Sequence, residues 1–68
     1  MQKEYTPQIS DHAYSRFRQR ISDASTKTID AYVLTPSIRD WLSWGAVGIY
    51  NYRGMHIYAV KGVIKTIT

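Results

Sequence analysis

The chain has 68 residues, no cysteine, nine Lys plus Arg against five Asp plus Glu, and a formal net charge of +4. A chain this short supports one hydrophobic core, and it has neither a disulfide framework nor a thiolate metal cage to reinforce that core; its two histidines alone do not complete an ordinary zinc site. The positive excess favours polyanions at long range and says nothing about fold.

In chain order, Lys3 to Ile9 alternates weakly and contains Pro7, which cannot donate to a ladder, so a strand here belongs at a sheet edge. Ser10 and Asp11 supply an N-cap and a first-turn acid, and Asp11 to Ile21 reads as a helix. At about 100° per residue, Ala13, Tyr14, Phe17 and Ile21 share one side, while His12, Arg16, Gln19 and Arg20 gather on the adjoining one. Ser22 to Lys27 is a polar connection. Thr26 or Thr28 caps a second helix carrying Ile29, Tyr32 and Val33, which Thr35-Pro36 breaks or kinks. Ile38, Trp41 and Leu42 resume the helical spacing, both tryptophans are expected to pack, and Gly45 offers a C-terminal stop.

From Ala46 the pattern changes to three β-rich runs, Ala46 to Tyr52, Met55 to Val60 and Val63 to Thr68, separated by Arg53-Gly54 and Lys61-Gly62. A glycine in a two-residue loop between β runs suits the tight turns that match strand twist. The expected fold class is therefore α+β, ordered (β)-α-α-β-β-β, with a three- to four-stranded antiparallel meander packed by two helices in a single domain over residues 1–68. Two-residue turns set the register: Tyr52 faces Met55, Asn51 faces His56, Ile49 faces Tyr58, Val60 faces Val63 and Tyr58 faces Lys65. One face then carries Ala46, Gly48, Tyr50, Tyr52, Met55, Ile57, Ala59, Ile64, Thr66 and Thr68, and is assigned to the helices. The other combines a polar strip, Asn51, His56, Tyr58 and Lys65, with an apolar patch, Val47, Ile49, Val60, Val63 and Ile67. Neither face is cleanly apolar, so the reverse assignment stays open.

Two constellations bear on chemistry. His12, Arg16 and Arg20 recur every four residues as a stripe, with Arg18 pointing elsewhere, and no acid lies between Asp11 and Asp23. Forked guanidiniums in this arrangement suit phosphate oxygens, although a solvated helix face reads the same way. On the sheet, His56, Tyr58 and Lys65 bring together an imidazole, a phenol and an ammonium. RNA cleavage by 2′-OH attack needs such a set: a proton acceptor, a proton donor and a cation for the phosphorane. A half-buried strand histidine beside a routine cross-strand pair is the plainer alternative. Exposed aromatic rings could stack bases, but in so small a chain most of them belong to the core. No Gly-rich phosphate loop, His-Glu-x-x-His, nucleophile elbow or carboxylate pair is present, so no metal or cofactor is expected. No run has the apolar length of a membrane span, and Met1 to Pro7 lacks a signal-peptide core, so a cytoplasmic protein without a membrane partner is expected.

The segment Ile9-Ser10-Asp11-His12-Ala13-Tyr14-Ser15-Arg16-Phe17-Arg18-Gln19-Arg20-Ile21 resembles the His-Ala-x-x-Arg-x-x-x-Arg opening helix of small bacterial and phage proteins that look related to RelE-like ribonuclease toxins, within the barnase/EndoU/colicin/RelE superfamily. Val63-Ile64-Lys65-Thr66-Ile67-Thr68 is similar to their closing strand. The resemblance implies a RelE-like fold and a metal-independent endoribonuclease that holds RNA in a basic groove on a helix-backed sheet. Carried onto this chain, it marks His12, Arg16 and Arg20 on the helix and Lys65 and Thr66 on the strand; the other basic residues of the sheet region are Arg53, His56 and Lys61. The candidate catalytic set is His12, His56, Tyr58 and Lys65. The candidate nucleic-acid contacts are Arg16, Arg20, Arg53, Lys61 and Lys65. The alternatives are a phage or mobile-element protein that binds nucleic acid without cleaving it, or one that blocks a host protein, or pairs with its own copy, through Val47, Ile49, Val60, Val63 and Ile67.

Overall fold

The computed structural model describes residues 5–68, an α+β arrangement of three helices and a four-stranded mixed sheet. The elements are β1 (Gln8–Ile9), α1 (Asp11–Arg20), α2 (Thr26–Val33), α3 (Pro36–Ser43), β2 (Gly48–Tyr52), β3 (Met55–Val60) and β4 (Val63–Ile67). Strand order is β1-β4-β3-β2. The two hairpins are antiparallel as expected, but β1 pairs in parallel with β4, Gln8 beside Val63 and Ile9 beside Ile64, so the sheet is mixed rather than antiparallel throughout. Of the strand expected over Lys3 to Ile9, only Gln8 and Ile9 pair; residues 3 and 4 lie outside the described residues.

Local chemistry sets the element ends. The Ser10 hydroxyl accepts from the Ala13 amide at 3.1 Å and donates to the Lys65 carbonyl at 3.1 Å, so the cap of α1 is also its tie to β4. Ser25, rather than Thr26 or Thr28, caps α2, accepting from the Thr28 amide at 3.2 Å. Three helices replace the expected two, because Pro36 takes the first position of α3 and holds the preceding residue, Thr35, in extended backbone, where it caps α3. Trp41 packs half-buried against Tyr50, with ring centroids 5.2 Å apart, whereas Trp44 is 46% exposed.

Both hairpin turns have positive φ at each central residue, 50° and 79° at Arg53-Gly54 and 50° and 78° at Lys61-Gly62. This is the type I′ geometry whose twist matches that of the flanking strands. Gly62 answers a second need: a Cβ there would lie 2.7 Å from the Leu42 carbonyl oxygen and 2.8 Å from Tyr5 Cβ.

The β2–β3 register is the expected one from Gly48–Ala59 to Tyr52–Met55. The β3–β4 register is not. Val60 faces Val63 and Ala59 faces Ile64, but Tyr58 then faces Thr66 and Ile57 faces Ile67, so Lys65 is the additional residue of a bulge. The inserted residue reverses the alternation beyond it. Ile67 is fully buried beneath the helices with Ile29, Val33, Ile38, Leu42, Ile57 and Ile64, and does not belong to the outer apolar patch. Thr66 and Thr68, expected on the helix side, join the outer side opposite Tyr58 and His56. Ile64 and Ile67 are three residues apart and can both face the core only if the strand is interrupted between them.

Candidate nucleic-acid interface

α1 packs along β4 with Ala13 and Phe17 buried beneath it. One flank of α1 is fastened to α2: the Tyr14 hydroxyl donates to Asp30 Oδ1 at 2.5 Å, Arg18 Nε donates to the Ala24 carbonyl at 2.9 Å, and Arg18 Nη2 donates to Thr26 Oγ1 at 2.9 Å. Burial, reinforced by the hydrogen bond to Asp30 and by its charge, pushes the Tyr14 phenol up to about 12. His12, Arg16 and Arg20 lie on the other flank. Because α2 reaches toward β2 through the Tyr32–Tyr52 edge contact, this second flank looks outward past the β4 border of the sheet.

The arginines divide by how their donors are engaged. Arg18 serves the α1–α2 junction, Arg39 donates to the Leu34 carbonyl at 3.0 Å, and the Arg53 guanidinium stacks over Tyr32 at 4.8 Å and Tyr52 at 5.2 Å. Those two phenols raise the pKa of Arg53 further. Arg16 has only a long, 3.5 Å contact to Gln19 Oε1, and its Nε is buried with no hydrogen-bond partner among the described residues. A buried guanidinium N–H without an acceptor is costly unless something supplies one. Arg20 is exposed, and its side chain has no hydrogen-bond partner among the described residues.

On the outer side of the sheet, His56 and Tyr58 are exposed alternate residues of β3, flanked by Asn51 and Ile49 on β2, by Thr66 on β4 and by Thr68 just beyond it. Lys65 is exposed at the bulge, where β4 meets the start of α1 through Ser10. It therefore stands at the corner between the α1 stripe and the outer strip, one position from where regular pairing would have put it. The bulge sets Thr66 directly beside Tyr58, a neighbour that regular alternation conceals; the Ile64–Ile67 spacing was the available signal.

The remaining cationic candidates do not join this surface as one cluster. Arg53 and Lys61 occupy the turns at opposite ends of the six-residue β3, and Arg53 is held against aromatic rings on the helix side. No family model, curated protein or solved structure matches the chain. Among the described residues there is no enclosed pocket, no group of three His, Asp or Glu side chains placed to hold a metal ion, and no helix long and apolar enough to cross a membrane. Of the candidate residues away from the hairpin turns, His12, Arg20, His56, Tyr58 and Lys65 are exposed and Arg16 is half-buried.

Proposed function

We propose that this chain is a RelE-like protein that engages RNA along the surface running from the α1 stripe, His12, Arg16 and Arg20, across Lys65 to His56 and Tyr58. The observation that carries the reading is the contrast among the arginines: Arg18, Arg39 and Arg53 are engaged within the fold, whereas Arg16 keeps a buried Nε without a partner among the described residues and Arg20 is exposed beside it. Phosphate oxygens would satisfy those donors as forked, charge-assisted acceptors. Tyr58, 41% exposed on an open sheet, offers a ring on which a base can stack.

The proposal extends to cleavage by transfer within the RNA. The 2′-oxygen attacks the adjacent phosphorus as its proton passes to a base. The bond to the 5′-oxygen breaks as that oxygen receives a proton, leaving a 2′,3′-cyclic phosphate and a 5′-hydroxyl. His56 and Tyr58 are the acid and base candidates on the sheet, His12 is a further candidate on α1, and Lys65 is the cation for the charge that develops on phosphorus. Arg53 and Lys61, at opposite ends of β3, are peripheral contacts in this reading.

Incubation of labelled single-stranded RNA with the protein in EDTA, beside His56→Ala and Arg16→Ala, tests it. Discrete fragments from the parent and none from either variant support cleavage. Intact RNA retained with an affinity that falls with salt, by a slope of about 0.7 per phosphate contact, leaves binding alone. Intact, unretained RNA overturns both. A second reading, contact with a protein without catalysis, draws on Val47 and Ile49, which are 69% and 64% exposed, with Val60 and Val63 half-buried beside them.

A further inference from the structure

The two borders of the sheet are finished differently. On one side, β1 covers only the first residues of β4, and α1 follows immediately and packs along that strand. On the other, β2 is the last strand, with no neighbour beyond it among the described residues. In a two-residue hairpin the pair flanking the turn exchanges both backbone hydrogen bonds, here Tyr52 with Met55. Alternation makes Tyr50–Ile57 and Gly48–Ala59 the other bonded pairs. The N–H and C=O groups of Ile49 and Asn51 therefore point out of the free border.

Natural edge strands are usually guarded by a lysine, a proline, an inward charge or a covering loop. From Val47 to Tyr52 this one has no charge and no proline, and two of its side chains, Val47 and Ile49, are large, apolar and mostly exposed. A Cβ built at Gly48 would meet nothing within 4 Å, so another backbone can approach there.

We propose that two copies of this chain pair edge to edge through β2, antiparallel about a two-fold axis, into one continuous eight-stranded sheet. A second copy fits this border by symmetry and by charge. Pairing centred on Ile49 sets that residue against its own counterpart and makes the bonded pair that the outward N–H and C=O groups require. Each chain has a net charge of +4, and they would meet at an uncharged stretch, with Arg16, Arg20 and Lys65 carried to the two far ends of the joint sheet. Because the opposite border is occupied by β1 and α1, addition stops at two copies and does not continue into a filament. An edge of five residues is below standard interface size, so the dimer depends on concentration.

Sedimentation velocity of the full chain from micromolar to millimolar concentration, with amide exchange read at each concentration, tests the pairing without RNA and so independently of the RNA-binding reading. The expected result is a monomer–dimer equilibrium in which the Ile49 and Asn51 amides gain protection with dimer formation. Ile49→Lys, placed on an exposed position so that the core is untouched, should weaken association by about tenfold or more. A monomer throughout the range overturns the proposal. A dimer whose Ile49 and Asn51 amides stay open also overturns it and moves the contact to the outer face of the sheet, where the Ile49 side chain lies; a dimer indifferent to Ile49→Lys overturns it and places the contact away from both.

Discussion

The two flanks of α1 both carry arginine and behave differently. Toward α2, Tyr14 and Arg18 end on a carboxylate, a carbonyl and a hydroxyl within the fold. Away from α2, Arg16 and Arg20 end on nothing comparable among the described residues, although only Phe17 separates Arg16 from Arg18. The same division holds across the sheet, where Ile57 and Ile67 are sealed and the adjacent Tyr58 and Thr66 are not. Net charge is thus a poor measure of the charge a ligand meets, because part of this chain's positive charge is engaged in holding its helices together.

The largest expected effect sharpens the contrast across the sheet. Ile67→Ala should cost roughly 2–5 kcal/mol, the range for truncating a buried aliphatic side chain, whereas Tyr58→Ala on the outer side should stay within about 0.5 kcal/mol. Chemical denaturation measures both, and equal costs would put the bulge in doubt. Next is the contrast along α1. Arg18→Ala should lose about 1 kcal/mol of stability and leave RNA retention intact, while Arg16→Ala should do the reverse; filter binding beside thermal melts separates them.

Alkaline pH probes the fastened flank when Tyr14→Phe is measured beside the parent chain. The Tyr14 phenol is raised from 10.0 to about 12 in the folded chain, so the stability it contributes is complete below pH 10 and is lost as pH rises through about 12. Tyr14→Phe should remove that dependence, and denaturant midpoints across the window would show it. The smallest effect concerns the turn. Lys61 sits at a φ of 50°, which asparagine tolerates better than lysine, so Lys61→Asn should stabilise by about 0.5 kcal/mol and change RNA retention little.

Much of this architecture was legible because short-range chemistry decided it. Ser10, Pro36, Gly45 and the two X-Gly turns each impose a backbone conformation on their own neighbourhood, so the first helix, the break at Thr35-Pro36 and the β2–β3 register could be read directly. What escaped depends on distant partners. The pairing of Gln8 and Ile9 with β4 is parallel and joins residues far apart in the chain, and nothing in two residues announces the partner or the direction. The bulge at Lys65 displaced Ile67, Thr66 and Lys65 from their expected positions together, since strand alternation propagates any single insertion. In the candidate site the α1 stripe was visible from helical spacing. Which arginines were already engaged was not, because Ala24, Leu34 and Tyr32 reveal themselves as partners only once the helices pack.

The hydroxyl of Ser10 spans 55 residues to reach the Lys65 carbonyl. The two hairpins close through two-residue turns and need no such search, whereas the dock of α1 is β4, a strand at the far end of the chain that also pairs with β3. In kinetic terms the sheet is expected to form early and the first helix to dock late, since closing a long loop precedes the contacts that reward it. Ser10→Ala should therefore speed unfolding and leave the folding rate nearly unchanged, a pattern that stopped-flow refolding would show. The surface that carries Arg16 and Arg20 would be the last to take its final shape and the first to lose it.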